Sequence, residues 1–147
     1  MRTHRLTRAP QGAPRETVES LVLDEHLGVI GDVKSAKDGS VSLLSGEAEE
    51  RIRSLGGLCT AKFAANIVTE GHDYEELATG TRLVIDSAIL EITRVGKPCY
   101  EACAIAQSGE TCPLPKNCAF ARVLRGGEIH TQDQILIQNA SDITLQN

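Results

Sequence analysis

The sequence predicts a mainly β domain, a closed or nearly closed barrel with a few short helices, and three observations carry that expectation. Short runs of alternating polar and apolar residues recur along the chain, the period of a half-buried strand. Turns built on glycine and Asp-Gly or Asp-Ser pairs separate them, and many short strands at close spacing favour closure, which removes unpaired sheet edges. Aromatic residues are few, two Phe, two Tyr and no Trp in 147 residues, so the core must be built from Leu, Ile, Val and Ala.

Taken in order, residues 1–15 (MRTHRLTRAPQGAPR) carry Arg2, Arg5, Arg8 and Arg15 with no acid and read as a flexible, solvated basic arm ahead of a single domain over 16–147. Residues 17–23 (TVESLVL) alternate as a strand does. Residues 26–32 (HLGVIGD) form a glycine-punctuated turn around a short apolar piece. Asp38-Gly39 is a turn signal before a strand at 41–44. Ser45 caps a helix that begins EAEERIRSL, Glu47 places negative charge at its N-terminus, and Gly56-Gly57 stop it. Residues 62–69 (KFAANIVT) read as a strand ending at Glu70-Gly71, and 73–77 as one helical turn. Two strands, 81–85 and 88–95, are joined by Asp86-Ser87. Residues 119–124 fit strand or helix equally, Gly126-Gly127 break them, and 134–138 and 143–145 supply the last strands.

Composition excludes several classes. A hydrophobic fraction of 41% and a mean hydropathy of −0.15 belong to a soluble globular protein, and no apolar run approaches the roughly 18 residues that cross a bilayer. The basic start has no apolar stretch behind it, so it is not read as a secretory signal. Five cysteines in such a chain point to a reducing, cytoplasmic setting. The net charge is −5 and the acidic body repels polyanions, so no nucleic-acid and no membrane partner is expected.

Chemistry concentrates in residues 96–124, GKPCYEACAIAQSGETCPLPKNCAFARVL, which hold Cys99, Cys103, Cys112 and Cys118. Thiolates are strong nucleophiles and soft metal ligands. Cys99 follows Lys97 and Pro98, and a nearby ammonium lowers a thiol pKa below about 8.5. Cys103 lies four residues on and shares a face with Cys99 if the segment is helical, as a resolving thiol or a second ligand. Cys103 and Cys112 are a candidate pair for a disulfide or for sulfur transfer. The spacing C-x3-C-x8-C-x5-C matches neither paired zinc knuckles nor the common iron–sulfur runs. The four histidines lie far apart and form no ligand pair.

In order and spacing, LGVIGD at 27–32, VSLLSGEAEERIR at 41–53, KFAANIVTEG at 62–71, GTRLVIDSAILEITRVGKPCYEAC at 80–103 and CPLP with CAFARVLRGGEI at 112–129 resemble the MOSC domain. That module is named after the C-terminal region of molybdenum cofactor sulfurases, and the chain resembles its small, stand-alone bacterial type. The resemblance implies a barrel related to the pyruvate-kinase barrel domain, with the family's signature cysteine at Cys99, carrying sulfur as a persulfide or ligating the molybdenum of a pterin cofactor. Among the other polar residues, Asp32 and Asn66 are candidates to orient a pterin by hydrogen bonds and Lys62, Lys116, Arg122 and Arg125 to meet its phosphate, with Lys97 a further cofactor-binding candidate. The turn Gly31-Asp32-Val33-Lys34 lacks the histidine and the following Arg-Gln pair common in the family, which counts against full catalytic machinery.

Three readings follow. The first is a sulfur carrier or molybdopterin-binding accessory protein acting through Cys99 in cofactor maturation or metal–sulfur assembly. Its partners would be a sulfur donor such as a cysteine desulfurase, and cofactor-biosynthesis or molybdoenzyme proteins. The second is a molybdenum-dependent reductase of N-hydroxylated compounds. The third is a non-catalytic barrel with a structural metal or disulfide in its cysteine-rich loop. Pyridoxal phosphate is not expected, because it belongs to the desulfurase fused to MOSC in larger relatives.

Overall fold

The computed structural model describes residues 1–55, 65–96 and 117–139, with side chains given as far as residue 51 in the first stretch. The chain is mainly β with few short helices, as its sequence predicts. Its strands are β1 (Arg2–Arg8), β2 (Glu16–Val18), β3 (Ser20–Asp24), β4 (Gly28–Val29), β5 (Ser40–Ser45), β6 (Ile67–Glu70), β7 (Arg82–Ile85), β8 (Ala88–Val95), β9 (Cys118–Arg125), β10 (Gly127–His130) and β11 (Ile135–Gln138). The helices are α1 (Ser35–Asp38) and α2 (Gly46–Leu55), with a 3-10 turn at Tyr74–Glu76.

The main sheet has the order β11-β7-β8-β9-β5-β6-β1-β2, and a smaller sheet has the order β10-β3-β4. The main sheet curls strongly. The start of β1 meets the approach to β11: Thr3 N–H donates to the Asp133 carbonyl at 2.9 Å, Gln132 N–H to the Thr3 carbonyl at 2.9 Å and Ile135 N–H to the Met1 carbonyl at 2.8 Å. Arg2 and Gln134 form a bridge there. These bonds join the two ends of the sheet into a nearly closed barrel. Leu6, Leu43, Ile67, Leu83, Leu90 and Ile92 fill its interior, one inward residue from every second position of the strands.

The expected solvated arm at 1–15 is corrected. Residues 2–8 are a strand inside the main sheet, paired antiparallel with β6 on one side and with β2 on the other. Thr3, Leu6 and Thr7 are buried, while Arg2, Arg5 and Arg8 point outward to Glu70, Glu49 and Glu16. The basic run is thus matched by acids that are distant in sequence or on the next strand.

Other expectations shift in detail. The strand foreseen at 17–23 is two strands broken at Glu19, because β2 serves the main sheet and β3 the small one. The ambiguous segment at 119–124 is strand, paired with both β5 and β8. Ser45 caps α2, its Oγ accepting from Ala48 N–H at 3.3 Å. Asp73 caps the 3-10 turn through Glu75 N–H at 2.9 Å. The Asp38-Gly39 signal ends α1, with Gly39 in the left-handed region at φ 74°, where glycine carries no Cβ penalty. The foreseen strand over 62–69 is described only from residue 65, and β6 begins at Ile67. The strand at 143–145 lies outside the described residues.

Candidate functional site

The cysteine-rich segment leaves the barrel from the end of β8 and returns at the start of β9, and backbone bonds tie the two stems together. Gly96 N–H donates to the Cys118 carbonyl at 2.7 Å, and Ser45 N–H donates to the Asn117 carbonyl at 2.9 Å. The two stems, Gly96 and Asn117, are therefore set at one barrel end, beside the finish of β5 and the first turn of α2. Lys97, Cys99, Cys103, Cys112 and Lys116 belong to the segment and lie outside the described residues, as do Lys62 and Cys59. Cys118, the one cysteine within the described residues, is buried at the head of β9.

A cavity of about 490 Å³ opens at this end, its lining among the described residues including Glu47, Arg51, His72, Asp73, Glu75 and Asn117. Glu47 is held in place twice: Gly71 N–H donates to one carboxylate oxygen at 3.0 Å and the Ser45 hydroxyl to the other at 3.1 Å. Burial raises its pKa, but those hydrogen bonds and the nearby His4 outweigh it and hold the carboxyl below its ordinary value. Thr69, register partner of Ser45, shares a 2.6 Å hydrogen bond with the Tyr74 hydroxyl. Tyr74 is fully buried, and that burial pushes its phenol up. No residue pattern marks Tyr74, Thr69 or Glu47 as belonging to the end of the barrel that carries Asn117 and Cys118, since they are brought there by the parallel pairing of β5 with β6.

Asp32 and Asn66, expected together, are together, but at the other end of the barrel wall. Asn66 Nδ2 donates to Asp32 Oδ2 at 2.9 Å, and its Oδ1 accepts from the Ser42 backbone N–H at 3.2 Å. Ser42 sits three residues before Ser45, roughly 10 Å along the strand. Asp32 is 2% exposed. Its Oδ2 also accepts from Ala9 N–H at 2.9 Å, and its Oδ1 accepts from the backbone N–H groups of Lys34 at 3.0 Å and Ser35 at 2.9 Å. The Arg15 guanidinium stands 3.8 Å away. Burial raises the Asp32 pKa, yet the bonds from Ser35, Ala9 and Asn66 with the Arg15 charge prevail and hold it below the ordinary aspartate value. The pair organises α1, β1 and β5 with its polar atoms already engaged. Arg122 lies on the outer face of β9, 61% exposed, and forks onto Glu91 through Nε at 3.0 Å and Nη2 at 2.8 Å.

Known structures share this architecture. The YuaD protein from Bacillus subtilis superposes with a TM-score of 0.71 at 19% identity, covering 92% of this chain and 94% of that one. YiiM from Escherichia coli gives 0.58 at 19% identity over 95% of this chain and 70% of that one. YiiM from Geobacillus stearothermophilus gives 0.57 at 15% identity over 96% and 79%. At such identities the likeness shows the fold alone. Among curated protein sequences, none matches the chain. The profile of the MOSC domain matches residues 30–136, well over half of the sequence, from just after β4 into β11. The chain belongs to the MOSC domain family.

Proposed function

We propose that this protein is a sulfur carrier that acts through a persulfide on Cys99, as an accessory to cofactor maturation or metal–sulfur assembly in a reducing compartment. The observation that supports this reading is the tied stem at Gly96 and Cys118 beside an open cavity. Cys99 is three residues from Gly96, a chain reach of at most about 11 Å. Lys97, two residues before it, favours the thiolate. That thiolate attacks the outer sulfur of a donor persulfide. A new S–S bond forms on Cys99 as the donor's breaks, and the donor cysteine leaves as a thiolate. An acceptor nucleophile then attacks the outer sulfur on Cys99, and Cys99 leaves as a thiolate. No external oxidant or reductant is consumed.

A phosphate-bearing pterin needs guanidinium forks or converging N–H groups. The described lining offers three carboxylates, Glu47, Asp73 and Glu75, against the single guanidinium of Arg51, and Asp32 and Asn66 are engaged with each other. These residues do not fit that group. No cluster of three metal-ligating side chains occurs among the described residues. The reductase reading therefore gains no support from them.

Mass spectrometry of the protein after exposure to a cysteine desulfurase and cysteine tests the proposal. The expected product is one added sulfur on the Cys99 peptide, removed by a thiol reductant and missing in Cys99→Ala. Sulfur found only on Cys103, Cys112 or Cys118, with Cys99 unmodified, overturns it.

A further inference from the structure

The outer face of the barrel wall formed by β11, β7, β8 and β9 is not used by anything described so far. Cross-strand register sets its side chains in rows. One row runs Leu136, Val84, Ile89, apolar and ending in Leu136 at 56% exposed. The next runs Arg82, Glu91, Arg122. Glu91 holds both guanidinium groups, Arg122 at 2.8 Å and Arg82 at 3.7 Å, so two fixed cations share one anion. The third pairs Arg94 with Phe120, the guanidinium 4.6 Å from the ring centroid, a geometry that orders the Arg without neutralising it.

This face is thus net cationic on a chain whose net charge is −5, and an apolar row borders the charge. Arg94 is two residues before Gly96 and Phe120 three after Asn117, so the face reaches the stems of the cysteine segment. We infer that it is the docking surface for an acidic patch on the protein that hands sulfur to Cys99. The charge pattern suits carboxylates, which guanidinium groups grip in a fixed fork. A nucleic acid fits worse, because the apolar strip has no counterpart on a phosphate backbone and the rest of the chain repels it. The strand spacing and rise give a footprint of about 14 Å by 17 Å, the scale of a transient contact rather than an obligate one. A carrier that must release its donor after each transfer needs such a contact. The inference rests on the Cys99 reading only for the identity of the partner.

Titrating the full chain against the cysteine desulfurase of the same organism tests it, with dissociation constants measured by fluorescence anisotropy at low and high salt. The wild-type chain, Cys99→Ala and the control Lys37→Glu should bind alike and weaken with salt. Arg94→Glu with Arg122→Glu should weaken binding at least about tenfold and flatten the salt dependence. Leu136→Asp, a change at an exposed position, should weaken it severalfold, and it decides the matter if the double variant fails to fold by circular dichroism. Equal binding by the face variants, or no binding by the wild-type chain, overturns the inference. Loading of wild-type Cys99 by inorganic polysulfide, which needs no docked protein, reports separately on the Cys99 reading.

Discussion

Asp32 is a residue whose sequence setting singles it out and whose structure gives it a role in holding the fold. Its place in a Gly-Asp turn singles it out in the sequence, and the structure gives it four donors at 2.9–3.0 Å. Removing the carboxylate in Asp32→Ala strands the N–H groups of Ala9, Lys34 and Ser35 and the Asn66 amide, and should cost about 2–4 kcal/mol of stability by urea denaturation. The charge adds a pH signature. A carboxyl held below the ordinary value of 3.8 in the fold binds its proton more readily in the unfolded chain. Its contribution is therefore complete above that value and lost as pH falls through the lower, folded one. Acid unfolding of the wild-type protein should be steeper below pH 4 than that of Asp32→Asn, whose amide does not titrate. Identical acid limbs for the two would show that Asp32 carries no such linkage.

At the scale of the element, β1 separates what the sequence tells from what it hides. Most strands are legible because apolar residues alternate with polar ones, as in β7 and β8, where Leu83, Ile85, Leu90 and Ile92 point inward. In β1 the buried residues are Thr3, Leu6 and Thr7, two of them polar and two of them adjacent, so no hydrophobic period of two appears. The arginines read as an unpaired basic run because Glu70, Glu49 and Glu16 are brought to them only by folding. Leu6, fully buried between β6 and β2, is the discriminating residue. Leu6→Ala should lower stability by about 2–5 kcal/mol, read as a shift of the urea midpoint at constant slope, whereas a residue of a solvated arm would shift it by a few tenths. Gly28 is a second hidden constraint. It adopts φ 73°, and a Cβ there would meet the Gly39 carbonyl oxygen at 2.8 Å. Gly28→Ala should therefore expose the α1–β4 contact and destabilise the fold by about 1–3 kcal/mol. The candidate site was legible only in part: cysteine spacing pointed to the segment at 97–116, while the setting of the stem residue Asn117 beside Ser45 and Glu47 follows from strand order, which residue patterns do not encode.

For the whole molecule the decisive feature is closure by the two ends of the described chain. Thr3 is a clasp: its hydroxyl donates to the His130 carbonyl at 2.6 Å and accepts from Asp133 N–H at 2.9 Å, while its own N–H and carbonyl bond to Asp133 and Gln132. Residues separated by 130 positions thus join the last seam of the barrel. Such long-range contacts form late and at high entropic cost, so the seam should be weaker than the β5–β9 and β8–β9 pairings that mount the cysteine segment. Thr3→Val keeps the shape of the side chain and removes its hydroxyl, leaving the part-buried Asp133 N–H with only its 3.4 Å bond to the His130 carbonyl. It should cost about 1–3 kcal/mol. The same change should accelerate amide hydrogen exchange selectively at Thr3, Gln132 and Ile135 before it touches Leu44, Ala119 or Val123. Opening confined to the seam would show that the wall presenting Gly96 and Asn117 is a stable unit with closure added on top. Uniform acceleration across all six amides would show instead that the barrel opens only as a whole, and that the clasp and the mount of the cysteine segment belong to one cooperative structure.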